Sequence, residues 1–215
     1  MYNLSYFKEE DKAVVLQFVR EHPFAFITGC DEQNKPVATQ IPVFIDERAG
    51  KLFLSGHIMR NTDHHKAFVH NQHVLAVFTG AHTYISASVY DNAQQASTWN
   101  YMSVHAKGIL SFLDETALLN VLKRTTDHFE GNPNSPASFD KLPQEYVQRL
   151  SKAIVAFEIE VTDMDNVFKL SQNKNEKSYH TIIESLHERK DTASETIATE
   201  MEKRTNQMNA KWSKE

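Results

Sequence analysis

Residues 51–66 read KLFLSGHIMRNTDHHK, and this stretch decides how the rest of the chain is interpreted. Its first part has a leucine at every second position, which is the period of a β-strand with one face in the core. We expect this strand to break at Gly56 and a short helix over residues 62–69 to follow, capped by Asn61 or Thr62.

Cationic and hydrogen-bonding side chains are concentrated at the predicted break. They are His57, Arg60 and Asn61, followed one helical turn later by His64, His65 and Lys66. Proteins bind phosphate groups with such side chains, often at the N-terminus of a helix. The pattern therefore indicates an anion site, and the alternative is a surface turn with solvated charges.

The composition is that of a globular protein. Of the 215 residues, 40% are hydrophobic and 24% are charged, so the chain can bury a sizeable core. The net charge of −5 and an isoelectric point near 6.1 argue against an extensive nucleic-acid interface. A single cysteine, no signal-peptide pattern and no long apolar run lead us to expect a cytoplasmic protein without membrane segments.

Sequence motifs for several other chemistries are missing. The six glycines are not spaced as GxGxxG or GxxxxGK[ST], which argues against a Rossmann or P-loop nucleotide site. The eleven histidines have no cysteine or carboxylate at ligand spacing, so we expect no metal site. Cys30 follows no nucleophile motif and precedes Asp31 and Glu32, whose negative charge disfavours a thiolate.

Period-two alternation predicts several further strands. They cover residues 24–28, 36–46, 74–78, 82–86, 99–113, 154–161 and 167–170, with the third buried on both faces and a turn at Gly80 and Ala81 before the fourth. Helices are predicted over residues 9–22, 114–130 and 144–152. Antiparallel strands with single inserted helices, and no regular βαβ alternation, point to a small β-barrel decorated with helices.

The composition changes from Lys174 onward. Eight Lys/Arg and eight Asp/Glu occur there, among few large apolar residues. Thr192 and Glu195 form a capping box for a helix with a thin apolar stripe, which consists of Ala193, Ile197, Met201 and Met208. We expect this stripe to pack on its own domain or on a partner subunit rather than on DNA.

A second polar group occurs on the long strand predicted over residues 99–113. Trp99, Asn100 and Tyr101 are followed by His105 and Lys107 on a half-exposed face. Aromatic faces with amide and cationic groups suit a planar, polar ligand that carries a phosphate. The alternative is an ordinary half-exposed strand.

Four segments together resemble the PaiB-type family of FMN-binding negative transcriptional regulators, within the flavin-reductase-like split barrels. They are LSGHIMRN at 54–61, FTGAHTYISASVY at 78–90, STWNYMSVHAKG at 97–108 and FKLSQNK at 168–174, and HPFAFI at 22–27 also fits the family's opening. Because the segments occur in one order along most of the chain, the resemblance is more specific than any single motif.

The resemblance implies a β-rich α+β fold, an FMN-binding split β-barrel with peripheral helices and a helical C-terminal extension. The barrel domain would cover residues 1–173, and a charged helical extension would cover residues 174–215. The family is expected to form a homodimer with FMN at the subunit interface.

The resemblance also implies a set of cofactor-binding residues. His57, Arg60 and Lys66 would lie near the phosphate or the ribityl chain, beside Asn61. His82, Tyr84, Ser86, Trp99 and Asn100 would lie near the isoalloxazine ring or the dimer seam. Lys169, Gln172 and Asn173 would complete the site.

The chain departs from the family pattern at three places. Ala87 and Val89 replace a proline and a tryptophan, and Ser97 replaces a proline. Residues 62–65 replace an Asn-Pro-Gln-Trp-like run. These changes affect FMN affinity more than they affect the fold.

Three functions fit the sequence. The first is a negative transcriptional regulator of the PaiB type, which binds FMN as a structural or sensing ligand and is not an enzyme. The second is an FMN-dependent oxidoreductase related to pyridoxamine-phosphate oxidase or flavin reductase, with His82 and His105 as candidate acid or base and no assigned catalytic residue. The third is a dimeric interaction protein that has lost the cofactor. DNA as a partner is not supported by the charge pattern, because no helix-turn-helix with a basic recognition helix is present.

Overall fold

Over residues 1–92 and 94–213, the computed structural model contains seven strands and seven α-helices. The strands are β1 (Phe24–Cys30), β2 (Pro36–Pro42), β3 (Phe44–Arg48), β4 (Lys51–Met59), β5 (His73–Ile85), β6 (Thr98–Phe112) and β7 (Ile154–Lys169). The helices are α1 (Lys12–Glu21), α2 (Asp63–His70), α3 (Glu115–Glu130), α4 (Gln144–Ser151), α5 (Glu176–Glu188), α6 (Thr192–Lys203) and α7 (Thr205–Trp212).

The seven strands form one sheet in the order β2-β1-β5-β6-β7-β4-β3. The pairs β1–β2, β1–β5, β3–β4 and β4–β7 are antiparallel. Pro42 ends β2 at one edge of this sheet, where a missing N–H donor interrupts no internal ladder. The predicted β-rich α+β class is confirmed.

The chain divides into two compact units. The first unit comprises Met1–Phe18, Thr79–Val104 and Asp165–Glu215, and the second comprises Val19–Phe78 and His105–Met164. The strands β5, β6 and β7 each continue from one unit into the other.

In the second unit, β4 does not break at Gly56, because it stays paired with β7 there. The strand continues to Met59, and Gly56 pairs with Phe157 of β7. A Cβ atom at position 56 would lie 3.0 Å from the Phe157 ring and 3.1 Å from the Pro42 carbonyl oxygen. The predicted break at Gly56 is therefore wrong: the glycine makes room for an aromatic ring of the neighbouring strand.

Other boundaries also differ from the prediction. β5 passes through Gly80 and Ala81 without a turn, and residues 154–161 and 167–170 belong to one strand. In both cases no residue between the two predicted strands is buried, so the burial period does not mark the continuous strand, and hydrogen bonding to neighbouring strands keeps the backbone extended there. Residues 74–78 are buried on one face only.

The C-terminal helices pack within the first unit. Tyr179 of α5 is fully buried, and its hydroxyl donates a hydrogen bond to the Met201 carbonyl oxygen of α6 at 2.8 Å. Ile197, Met201 and Met208 are buried, as the apolar stripe predicts. The cap of α6 is Asp191, which accepts from the Ser194 amide, and not Thr192. That the cofactor domain ends at residue 173 stays a prediction.

Candidate functional site

The turn between β4 and α2 carries the predicted phosphate residues of the second unit. The Arg60 amide donates to the Ala153 carbonyl oxygen, and its Nε donates to the Ile154 carbonyl oxygen, both at 2.8 Å. The second bond uses one of the five guanidinium N–H donors. Because Arg60 is exposed, its other donors are open to an anion, and no carboxylate partner is found within the described part of the chain.

Asn61 gives the turn its shape. Its φ of +65° lies in the left-handed region, which asparagine tolerates better than most residues. Its amide donates to Nδ1 of His65 at 3.3 Å, so His65 accepts at this nitrogen and is neutral. Asn61 thus positions the turn through its backbone.

Electrostatics show that this turn is positively charged. Burial lowers the pKa of His65, and the nearby Arg60, His64 and Lys66 lower it further. Burial alone lowers the pKa of His57, which lies half-buried in β4. Since both imidazoles then stay neutral at pH 7, the charge available to an anion comes from Arg60 and Lys66.

The N-terminus of α2 is already occupied by side chains of the turn. The Thr62 hydroxyl accepts from the His65 amide at 3.3 Å, which confirms Thr62 as the predicted cap. Asp63 accepts from the His64 amide at 2.7 Å and from the His64 ring at 3.1 Å. These bonds lower the pKa of Asp63 and keep its carboxylate ionised. This negative charge was not predicted as part of the site, although Asp63 stands within the stretch that departs from the family pattern.

An exposed aromatic cluster lies in the first unit. The Trp99 ring centroid is 6.0 Å from that of His82 and 6.0 Å from that of Tyr84. Trp99 is 52% exposed and Tyr84 is 45% exposed, which is high for aromatic residues in a sheet. The strands β5 and β6 therefore present three adjacent rings to a planar ligand.

Lys169, at the end of β7, lies in the same unit among aromatic rings. Its ammonium group donates to the Thr98 hydroxyl and lies 5.2 Å from the ring centroid of Tyr2 and 5.8 Å from that of Phe7. Burial lowers the pKa of Lys169, and the positive charge of Lys174 lowers it further. Tyr2 and Phe7 were not predicted as site residues, because nothing in the sequence of the N-terminal segment indicates which strand it covers.

Asn100 faces the core and not a ligand-accessible surface. It is fully buried, and its Nδ2 donates to the Ser171 hydroxyl at 3.0 Å. The same hydroxyl donates back to Oδ1 of Asn100 at 3.1 Å. The amide of Asn100 therefore holds the KLSQN segment in place.

Three other predicted residues are placed as follows. Gln172 donates from Nε2 to the Phe168 carbonyl oxygen at 2.6 Å and accepts from the Leu170 amide at 2.8 Å, so its amide is used locally. Ser86 caps the short 3-10 helix Ala87–Val89. Asn173 is exposed.

No group of three or more His, Cys, Asp or Glu side chains is arranged to hold a metal ion among residues 1–92 and 94–213. Over the same residues, none of the helices has both the length and the apolar character needed to span a bilayer.

Comparison with known proteins identifies relatives along the chain. The model of a family described as "Putative FMN-binding domain" matches residues 1–163. The chain is 33% identical over 202 residues to the Protease synthase and sporulation protein PAI 2 of Bacillus subtilis, covering 94% of this chain and 97% of that protein. It is 24% identical over 236 residues to an uncharacterized protein of Aspergillus fumigatus, covering 86% and 90%.

Solved structures share the fold at low sequence identity. The FAD and heme binding protein of Mycobacterium smegmatis aligns with a TM-score of 0.57 at 15% identity, covering 76% of this chain and 73% of that one. A conserved hypothetical protein of Mycobacterium tuberculosis aligns with a TM-score of 0.56 at 12% identity, covering 79% and 91%. The predicted split-barrel fold class is confirmed.

Proposed function

The chain belongs to the FMN-binding domain family, and we propose that it acts as a homodimeric, FMN-binding negative regulator of the PaiB type. FMN is the cofactor of this family. The observation that carries the proposal is the extent of the relationship, since the match with PAI 2 runs along 94% of the chain.

The donor set of the β4–α2 turn fits the phosphate of FMN. A phosphate dianion prefers guanidinium and ammonium donors, and Arg60 and Lys66 supply one of each. The Arg60 side chain is held by the hydrogen bond from its Nε to the Ile154 carbonyl oxygen of β7, so less side-chain entropy is lost when it binds. We assign the phosphate to these two residues, with His57 and Asn61 beside them.

The aromatic cluster of the first unit fits the ring of FMN. His82, Tyr84 and Trp99 offer exposed faces for stacking, and Lys169 offers a cation near the polar edge of a flavin. We assign the ring to these four residues. Three further residues of the proposed site hold the surrounding backbone: Asn100, Ser86 and Gln172. Asn173 contributes an exposed side chain that can form hydrogen bonds.

Bound FMN would supply a ring that accepts and returns electrons. In a regulator this ring acts as a ligand whose presence or redox state changes the protein, and turnover is not required. The residues of this chain then bind and orient the flavin.

A homodimer is supported by an uncovered apolar face in the second unit. Phe24 is 63% exposed and Phe26 is 40% exposed, and both project from the same face of β1. Phe26 pairs with Val77 of β5, and both Leu75 and Val77 are only half-buried. A contiguous apolar face of this kind is typical of a subunit interface.

The regulatory role is proposed by analogy with PAI 2, whose name refers to protease synthesis and sporulation. Direct DNA contact would need a basic face assembled by two subunits, because the single chain has a net charge of −5. Gel shifts with purified dimer at low salt test this point, and no shift under those conditions would exclude direct regulation.

The visible absorption spectrum of the purified protein tests the flavin assignment. The proposal predicts a flavin spectrum after purification or after addition of FMN. A nicotinamide reductant that bleaches the bound flavin in repeated turnovers would instead favour the FMN-dependent oxidoreductase. A colourless protein that does not bind added FMN would favour an interaction protein without cofactor.

A further inference from the structure

The β4–α2 turn and the first turn of α2 together carry charges of both signs near the proposed phosphate site. Arg60 and Lys66 attract a phosphate, whereas the Asp63 carboxylate in the same turn repels it. Asp63 lies within the run TDHH at 62–65.

Asp63 also occupies a backbone amide at the N-terminus of α2 that could otherwise donate to a ligand. Its carboxylate accepts from the His64 amide at 2.7 Å, and the Thr62 hydroxyl accepts from the His65 amide at 3.3 Å. The amides at the start of a helix are otherwise the strongest backbone donors for a phosphate. In this chain two of them already have partners, and one partner is itself an anion.

The local charge balance follows from these contacts. Both His57 and His65 have a pKa below the ordinary histidine value, so neither adds a positive charge at pH 7. Of the charged side chains in residues 57–66, Arg60 and Lys66 are positive and Asp63 is negative. One of the two positive charges is therefore offset before any ligand binds.

We infer that Asp63 determines flavin specificity by weakening the phosphate subsite, so that the chain accepts riboflavin nearly as well as FMN. The inference rests on the proposed flavin site. It adds that the ligand class extends to flavins without a phosphate, because the offset charge of the turn leaves the phosphate only a small share of the binding free energy.

The variant Asp63→Asn isolates the charge. Its amide oxygen can still accept from the His64 amide, and Thr62 still caps α2, while the negative charge is removed. Removing a unit charge a few ångströms from a phosphate in a surface site changes affinity by roughly fivefold. FMN affinity should increase by this factor, and riboflavin affinity should not change.

The matched control is Asp31→Asn. Asp31 also lies in a turn of the second unit, and its carboxylate accepts from the Gln33 and Lys35 amides at 2.9 Å each. It is outside the β4–α2 turn, so its substitution removes an equivalent carboxylate without changing the charge of that turn. Asp63→Ala is a second variant, which frees the His64 amide and should raise FMN affinity at least as much.

The experiment is a titration of the full chain and each variant with FMN and with riboflavin, followed by quenching of flavin fluorescence. We expect the wild type to prefer FMN over riboflavin by less than about tenfold, and Asp63→Asn to increase this ratio by roughly fivefold. The inference is overturned if the ratio is the same in Asp63→Asn as in the wild type, or if Asp31→Asn changes it equally. Failure to bind either flavin would overturn the proposed function as well, whereas a large wild-type preference for FMN would overturn only the inference.

Discussion

Asn100 and Ser171 are joined by two hydrogen bonds that share one hydroxyl group. The hydroxyl accepts from Nδ2 at 3.0 Å and donates to Oδ1 at 3.1 Å, and both residues are buried. Ser171 has a φ of +63°, which is uncommon for a residue with a Cβ atom. The pair fixes the backbone of the KLSQN segment directly after Lys169.

Ser171→Ala should destabilise the protein by about 1–3 kcal/mol, because it leaves the buried Asn100 amide without this partner. Ser171→Gly removes the same hydroxyl and also relieves the positive φ, so it should cost less than the alanine variant. Urea unfolding of the two variants measures the difference. Equal stability of the two variants would contradict strain at Ser171.

Gly108→Ala should be one of the most destabilising glycine substitutions in the second unit. A Cβ atom at position 108 would lie 2.4 Å from the Glu160 carbonyl oxygen, which is backbone and cannot rotate away. Overpacking of this kind costs about 1–3 kcal/mol or more. Gly131→Ala is the control, since its Cβ atom meets nothing within 4 Å and only its φ of +60° is unfavourable. Chemical denaturation should rank Gly108→Ala as clearly less stable.

His187 should make stability depend on pH. Its Nδ1 contacts Glu195 at 2.7 Å and its Nε2 contacts Glu202 at 3.0 Å, and these hydrogen bonds raise its pKa. A raised folded-state pKa means that the stabilisation is complete below the unfolded-state pKa and is lost as pH rises through the folded-state value.

The measurement is the difference in unfolding midpoint between the wild type and His187→Gln. This difference should be larger at about pH 5.5 than at about pH 8.5. A difference that does not vary across this range would contradict the two-carboxylate contact. The matched control is His180→Gln, which removes an imidazole from the same helix and leaves the contacts of His187 in place.

The dimer proposal predicts a change in subunit association for Phe24→Ser combined with Phe26→Ser. The two rings are exposed in the single chain, so their loss should weaken association without lowering the stability of the fold. Sedimentation velocity at several concentrations should show monomers for this variant and dimers for the wild type. Phe129→Ser, which removes another exposed phenylalanine of the second unit, should leave the dimer intact.

Local sequence signals were sufficient for much of the fold. The Asp114 cap and Gly131 mark the two ends of α3, and Thr62 caps α2 as predicted. Capping depends on side chains within a few residues of the helix end, so it is readable from the sequence. Gly56 was misread because its role depends on Phe157, a distant residue that the strand pairing brings beside it.

The residue types of the candidate site could be predicted from the sequence, whereas the contacts of its side chains were harder to predict. Arg60 and Trp99 are exposed, as a ligand-binding role requires. The inward orientation of Asn100 agrees with the strand period, since Asn100 shares a face with the buried Met102 and Val104. Its partners, Ser171 and the sulfur of Met201 at 3.5 Å, could not be predicted from that period. Contacts between residues about a hundred positions apart leave no signal in a local pattern.

The central claim is that Arg60 binds the phosphate of FMN. The most direct measurement is the FMN dissociation constant of the wild type, Arg60→Ala and the control Arg149→Ala, which removes an exposed arginine of α4. A guanidinium–phosphate contact at an exposed turn is screened by water and is offset here by Asp63, so Arg60→Ala should weaken FMN binding by roughly threefold to tenfold. Arg149→Ala should bind like the wild type. An Arg60→Ala variant that binds FMN as tightly as the wild type would contradict the account.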